Sequence, residues 1–252
     1  MKKIKIINIV GARPNFMKLA PVYFELTKIK TINPLIAHTG QHYDFELSKS
    51  FFDDFALPQP DYHLNAGGGS SLQQIGKIII KLEPIFKNEK PDLIIVYGDV
   101  NSTLAGSIAA KKLSIPLAHV EAGLRSFDSG MPEELNRKLT DVMSDLLFTP
   151  TQEADINLLN EGIDRKKIHF VGNTMIDSLF ITLENINEVY EKSVLKRLSL
   201  DKKEYALITL HRPSNVDDKE KLKKIVSFLN KLSKRITLIF SIHPRTKQNI
   251  IK

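Results

Sequence analysis

Short apolar runs alternate with stretches whose apolar residues recur every three or four positions, and this rhythm holds along almost the whole chain. The runs read as buried strands at Ile4–Val10, Pro34–His38, Leu93–Val96, Leu117–Val120, Leu146–Thr149 and Ile168–Val171. Helical patterns fall between them at Asn15–Lys28, Phe45–Phe52, Leu72–Asn88, Ser102–Leu113, Pro132–Met143, Gln152–Glu161 and Met175–Asn187. Strands that alternate with helices predict βαβ units, and right-handed crossovers make of them a doubly wound, Rossmann-like parallel α/β sheet.

The pattern changes near residue 188. Glu188–Lys203 is charged and carries no strand pattern. We therefore expect a first domain over 1–187, a linker over 188–203 and a second domain beginning at 204. That second part reads as a strand at Tyr205–Leu210, a helix at about Asp217–Lys234, a strand at Ile236–Ile242 and the opening of a helix at Lys247–Lys252. One βαβ of this size does not bury both faces of its sheet. The expectation is a complete first domain followed by an incomplete second one, with no turnover by the chain as it stands.

Composition removes several classes of function. The 252 residues include no Cys, which excludes a disulfide scaffold, a thiol nucleophile and a Cys-based zinc site. The N-terminus runs straight into a strand and a glycine turn, unlike a signal peptide. No apolar run approaches the ~18 residues of a membrane span. The expectation is a soluble cytoplasmic protein. A net charge of +7 invites a nucleic-acid partner, but residues 1–185 hold 20 basic against 22 acidic residues and residues 186–252 hold 16 against 7. The excess is mostly lysine at Lys219–Lys224 and Lys231–Arg235, beside an apolar stripe of Leu222, Ile225, Val226, Leu229 and Leu232. A solvated helix face explains it, and no nucleic-acid partner is expected.

The candidate chemistry lies just after the strands. Loops leaving the carboxyl ends of parallel strands converge on one crevice, where ligands bind. Arg13 follows the first strand, Asp99 follows Leu93–Val96 and Glu121 follows Leu117–Val120, with Glu133 and Arg137 close behind. Carboxylates and guanidinium groups in one cleft suit proton transfer on an anionic substrate. Asn101 and Ser102 are placed to cap the following helix, which leaves Asp99 for the cleft. A carboxylate at the position of Glu121 requires a nearby cation, for which Arg125 and Arg137 are candidates. Glu133 and Glu134 sit in a first helical turn, where acids also oppose the macrodipole. The Gly67–Ser71 stretch follows no strand run and reads as a flexible loop rather than a phosphate cradle. His38 and His42 straddle a turn and no carboxylate–histidine motif occurs, so no metal site is expected.

Seven segments in order resemble the non-hydrolysing UDP-N-acetylglucosamine 2-epimerases: TGQHYD (Thr39–Asp44), PDLIIVYGD (Pro91–Asp99), HVEAGLR (His119–Arg125), PEELNR (Pro132–Arg137), FVGNTMID (Phe170–Asp177), TLHRPSN (Thr209–Asn215) and IHPRT (Ile242–Thr246). The resemblance runs from Lys3 to about Arg245. It implies two Rossmann-like domains in the manner of the glycosyltransferase-B fold, the second of which supplies most of the nucleotide pocket. It implies inversion of carbon 2 of UDP-N-acetylglucosamine by elimination and re-addition of UDP through 2-acetamidoglucal, in service of cell-surface polysaccharide synthesis, without any cofactor. By the same resemblance Asp99, Glu121 and Glu133 are catalytic, and His211 contacts the diphosphate and assists its departure. Arg13, Lys18, Asn136, Arg137 and Arg212 bind substrate. Arg13 is preferred to Lys18, whose helix position carries it away from the cleft. The full-length protein is expected to be a homodimer. A hydrolysing epimerase, a glycosyltransferase and an inactive sugar-nucleotide-binding fragment are the competing readings.

Overall fold

A computed structural model of the protein describes residues 3–41, 52, 55–200, 204–242 and 244–251. The chain divides into two compact units, Met1–Asn185 and Ile186–Lys252. The helix expected at Phe45–Phe52, apart from Phe52 itself, and His42 lie outside the described residues.

The first unit is built on seven parallel strands: β1 (Ile4–Val10), β2 (Ile32–His38), β3 (Tyr62–His63), β4 (Leu93–Tyr97), β5 (Leu117–Val120), β6 (Leu146–Thr149) and β7 (Ile168–Phe170). Their order across the sheet is β3-β2-β1-β4-β5-β6-β7. Chain order therefore reverses between β1 and β4, which are paired from Ile6↔Leu93 to Ile9↔Val96. This is a doubly wound α/β sheet with its switch point between those two strands.

Both faces of the sheet are covered, and the alternation along each strand decides which side chain goes where. Ile7 and Ile9 of β1, with Ile94 and Val96 of β4, face one core. That core is closed by helix α2 (Ser71–Glu89) and helix α3 (Asn101–Lys112). Helix α2 contributes Ile78, Leu82 and Phe86 at helical spacing. Ile6 and Val10, with Ile95 and Tyr97, face the opposite core under helix α1 (Arg13–Lys28), which contributes Phe16, Leu19 and Ala20. Burying one such aliphatic side chain contributes about 1.5–3 kcal/mol. Asn8 breaks the apolar run of β1, yet it is fully buried because its amide donates to Leu35 O (3.0 Å) and its oxygen accepts from Tyr97 Oη (2.7 Å).

The unit is completed by α4 (Pro132–Met143), α5 (Gln152–Asn160), a 3-10 turn at Arg165–Lys167 and α6 (Thr174–Asn185). The two-residue strand β3 ahead of the Gly67–Ser71 stretch is a correction to the sequence reading, which found no strand there. That stretch ends in a capping box at the start of α2, with Gln73 Oε1 accepting from Ser70 N at 2.9 Å and Ser70 Oγ accepting from Gln73 N at 3.3 Å.

The second unit opens with helix α7 (Glu188–Arg197), whose N-cap Asn187 accepts from Tyr190 N at 2.9 Å. It continues with β8 (Tyr205–Ile208), a short helix α8 (Pro213–Val216), α9 (Lys219–Leu232), β9 (Thr237–Phe240) and α10 (Pro244–Ile251). β8 and β9 form a parallel pair. Cover is thin: Leu207 remains 70% exposed, and Val216 and Leu222 are the buried apolar side chains among the described residues of the unit. The lysines of α9 are exposed, whereas its Leu222 is buried.

Candidate active site

The loops after β1, β4 and β5 meet at the switch point, and one amide side chain ties two of them together. Asn15, in the first turn of α1, accepts from Gly11 N and Ala12 N at 3.1 Å each and donates to Tyr97 O at 2.8 Å. Asn15 therefore lies at the third position of the helix rather than at its start. The helix starts two residues earlier, after Ala12, and the Asn15 side chain reaches back over the loop.

From this frame α1 directs Lys18 inward. Lys18 is buried and pairs with Glu121 Oε2, so the helix brings this residue to the cleft rather than carrying it away. Lys18, and neither Arg125 nor Arg137, is the cation beside Glu121. The arginines are taken by other acids: Arg125 pairs with Asp141 and Glu161, and Arg137 with Asp99 and Glu134. Arg13 is exposed at the first position of α1.

Gly98 holds the centre of this arrangement. Its φ of +63° is unfavourable for any residue with a side chain. A β-carbon there would also stand 2.6 Å from Lys18 Nζ and 3.1 Å from Glu121 Oε2. The Lys18–Glu121 pair thus packs directly against the peptide that leads into Asp99. Asp99 does not cap α3, and neither do Asn101 and Ser102: the N-cap is Val100, with no side-chain bond. Ser102 instead joins Thr39 Oγ1 (2.7 Å) and Gln41 Oε1 (2.7 Å). The Asp99 carboxylate turns to Arg137, accepting from Nε at 3.0 Å and Nη2 at 2.8 Å, while Asn136 Nδ2 holds the Asp99 carbonyl at 2.8 Å. Two bonds from one guanidinium fix both distance and orientation.

The two adjacent glutamates on α4 separate clearly. Glu134 is buried and accepts from Ser126 N (2.9 Å), Ser126 Oγ (3.0 Å), Phe127 N (3.3 Å) and Arg137 Nη1 (2.7 Å). Burial opposes its charge, but the bonds from Ser126, Arg137 and Phe127 more than offset this and hold its pKa at about 2. Such a group stays ionised and anchors the loop. Glu133 is exposed, and among the described residues no hydrogen bond or ion pair engages its carboxylate. It is the acid of the pair with freedom to move.

His211 and Arg212 lie in the second unit, in the loop between β8 and α8, where Thr209 Oγ1 is 3.2 Å from His211 Nδ1. His38 ends β2 with its pKa lowered to about 4, chiefly by burial and secondarily by His63. No cluster of His, Asp and Glu able to hold a metal occurs among the described residues, and none of their helices is long and apolar enough to cross a membrane. A groove of about 650 Å³ between α1 and α6 is apolar, lined by side chains such as Val22, Leu26, Phe148 and Phe180, and none of the polar groups above lines it.

Comparison with known proteins gives a consistent picture. The family model described as UDP-N-acetylglucosamine 2-epimerase matches residues 25–252. A UDP-N-acetylglucosamine 2-epimerase homolog of Methanococcus maripaludis is 51% identical over 249 residues, covering 99% of this chain and 68% of its own length. A UDP-2,3-diacetamido-2,3-dideoxy-D-glucuronate 2-epimerase of Pseudomonas aeruginosa is 44% identical, covering 97% and 68%. Among solved structures, the UDP-GlcNAc 2-epimerase of Methanocaldococcus jannaschii in complex with UDP-GlcNAc and UDP is 45% identical with a TM-score of 0.83, covering 99% and 68%.

Proposed function

This chain belongs to the UDP-N-acetylglucosamine 2-epimerase family, and we propose that its site is built for inversion of carbon 2 of UDP-N-acetylglucosamine to give UDP-N-acetylmannosamine by the non-hydrolysing route. The observation that carries this reading is the meeting of Asp99 and Glu121 at one switch point, each against its own cation.

The C2 proton of the sugar is weakly acidic, so direct removal is difficult. In the reading we favour, one carboxylate takes the C2 proton as the C1–O bond to UDP breaks, giving 2-acetamidoglucal. UDP then re-adds at C1 while a proton reaches C2 from the opposite face. Asp99, Glu121 and Glu133 are the acids and bases we assign, each worth about 10²–10⁴-fold. Within the first unit we assign Arg13 and Lys18 to the anionic part of the substrate, while Arg137 and Asn136 support Asp99; within the second unit we assign His211 and Arg212 to the nucleotide. Glu134, held ionised, is left out of the proton transfers. We place the enzyme in the cytoplasm as a homodimer. The apolar stripe of Leu135, Leu139 and Val142 exposed along α4 is in keeping with self-association.

A second substrate is favoured by a specific observation: the Pseudomonas relative acting on a diacetamido-glucuronate is nearly as similar as those acting on UDP-N-acetylglucosamine. Incubation of the protein with each UDP-sugar in ²H₂O, followed by proton NMR, tests both points. The non-hydrolysing reading expects the C2 epimer as UDP-sugar, with deuterium at C2. Free N-acetylmannosamine with UDP, or epimerisation without deuterium uptake, would overturn it.

A further inference from the structure

Beneath the loops that carry Asp99 and Glu121 lies a polar cluster that the proton chemistry does not use. His119, the third residue of β5, is fully buried. Its Nδ1 is 2.6 Å from Asp141 Oδ1 and its Nε2 is 2.8 Å from Gly98 O. A backbone carbonyl can only accept, so Nε2 donates to Gly98 O, while Nδ1 faces the Asp141 carboxyl. Asp141, on α4 two turns beyond Glu133, is also fully buried and uses its second oxygen to accept from Gly123 N at 3.2 Å and Arg125 Nη1 at 2.8 Å. Arg125 in turn grips Glu161 through Nε (2.7 Å) and Nη2 (2.6 Å).

The consequence for the site is geometric. Gly98 is held to β5 on both sides: its N–H donates to Val120 O at 3.0 Å, and its carbonyl accepts from His119. The Gly98 carbonyl and the Asp99 N–H belong to one rigid peptide plane. The direction of that carbonyl therefore fixes the direction in which residue 99 leaves the strand. On the other side of the ring, Asp141 fixes the 121–125 loop, in which Glu121 itself has a φ of +75° and Gly123 one of +79°. A β-carbon at Gly123 would stand 2.4 Å from Ala154 O.

We propose that His119 is a positioning residue for the epimerase reaction, setting the Gly98–Asp99 peptide through Nε2 while Asp141 anchors the ring through Nδ1. The proposal rests on the reading of Asp99 as a reacting group. Its two contacts are chemically separable. An asparagine amide nitrogen occupies the place of Nδ1, so His119→Asn keeps the bond to Asp141 and loses that to Gly98. A glutamine amide nitrogen occupies the place of Nε2, so His119→Gln keeps Gly98 and loses Asp141.

The test is steady-state kinetics on the whole protein with UDP-N-acetylglucosamine, alongside thermal unfolding, for both variants and for Asp99→Asn. His119→Asn should keep a Tm within a few degrees of wild type and a KM within about threefold, yet lose about 10²-fold in kcat, as misplacement of a reacting group by an ångström does. His119→Gln should show the reverse, a lower Tm with kcat within about tenfold of wild type. A residue of purely structural importance would give activities that rank with Tm; that order, or wild-type kcat in His119→Asn, overturns the proposal. If Asp99→Asn retained full turnover, the assignment of the site itself would fall, whereas an inactive Asp99→Asn beside a fully active His119→Asn would remove only the positioning role. Should neither histidine variant fold, ¹⁵N-histidine NMR of the wild type decides. A slowly exchanging Nε2–H resonance for His119 supports the strut, and an Nε2 without a proton overturns it.

Discussion

Replacing Glu134 by Gln removes a charge from the most fully engaged carboxylate of the site. Four donors, Ser126 N, Ser126 Oγ, Phe127 N and Arg137 Nη1, converge on this carboxylate, which is buried. Its pKa falls from 4.5 to about 2 in the folded protein, which corresponds to about 3 kcal/mol of stability at neutral pH. Because folding depresses the pKa, this contribution is complete above the unfolded value near 4.5 and is lost as pH falls towards 2. About 2 kcal/mol of it should remain at pH 3.5. Urea unfolding followed by far-UV circular dichroism measures it directly, the chain having no Trp. At pH 7 the Glu134→Gln protein should be less stable by about 3 kcal/mol, and the gap to wild type should narrow as pH falls. Turnover should drop as well, because Arg137 loses one of the two acids that orient it against Asp99. A difference below about 1 kcal/mol at pH 7, or one of constant size from pH 7 to 3.5, would refute the picture of a charge locked in by converging donors.

Three further outcomes follow from the same geometry. Asp99→Asn, Glu121→Gln and Glu133→Gln should each lower turnover by at least about 10²-fold with the circular dichroism spectrum unchanged; near-full activity in a coupled UDP-sugar assay would remove that residue from the acid–base set. Gly98→Ala should cost about 1–3 kcal/mol through its positive φ and, by pressing on Lys18 and Glu121, depress kcat more than KM; unchanged kcat and Tm would mean that the pair relaxes freely. Tyr97→Phe should cost about 1–3 kcal/mol, since it strips the buried Asn8 oxygen of its Tyr97 Oη partner; a neutral effect in urea would show that Asn8 finds another donor.

Much of the first unit was legible in the sequence because its strands are covered on both faces and therefore read as mainly apolar runs. β1, β5 and β6 have the bounds that the runs of isoleucine, leucine and valine predict. β3 was not legible, because two residues of an edge strand, Tyr62 and His63, make no period. Helix α7 was hidden by its charge: five of the ten residues of Glu188–Arg197 are Glu, Lys or Arg, and the helix buries no residue. In the site, the βα-loop positions of Asp99 and Glu121 followed from strand order alone. Their partners did not. Sequence proximity pointed Arg125 and Arg137 at Glu121, but the cation proved to be Lys18, 103 residues away, brought there by the direction of α1. The His119–Asp141 contact has the same character, since it joins β5 to α4 through tertiary packing that no local spacing announces.

The Asn15 amide has a consequence for motion. Gly11 and Ala12 donate their backbone protons to a side chain rather than to a neighbouring strand, so the lifetimes of those two protons report on one rotamer and not on the sheet. The same side chain is bolted to Tyr97 O across the switch point. β1 and β4 therefore cannot part at their ends without releasing the bond to Tyr97. The floor of the crevice is thereby tied across the switch point by one buried side chain.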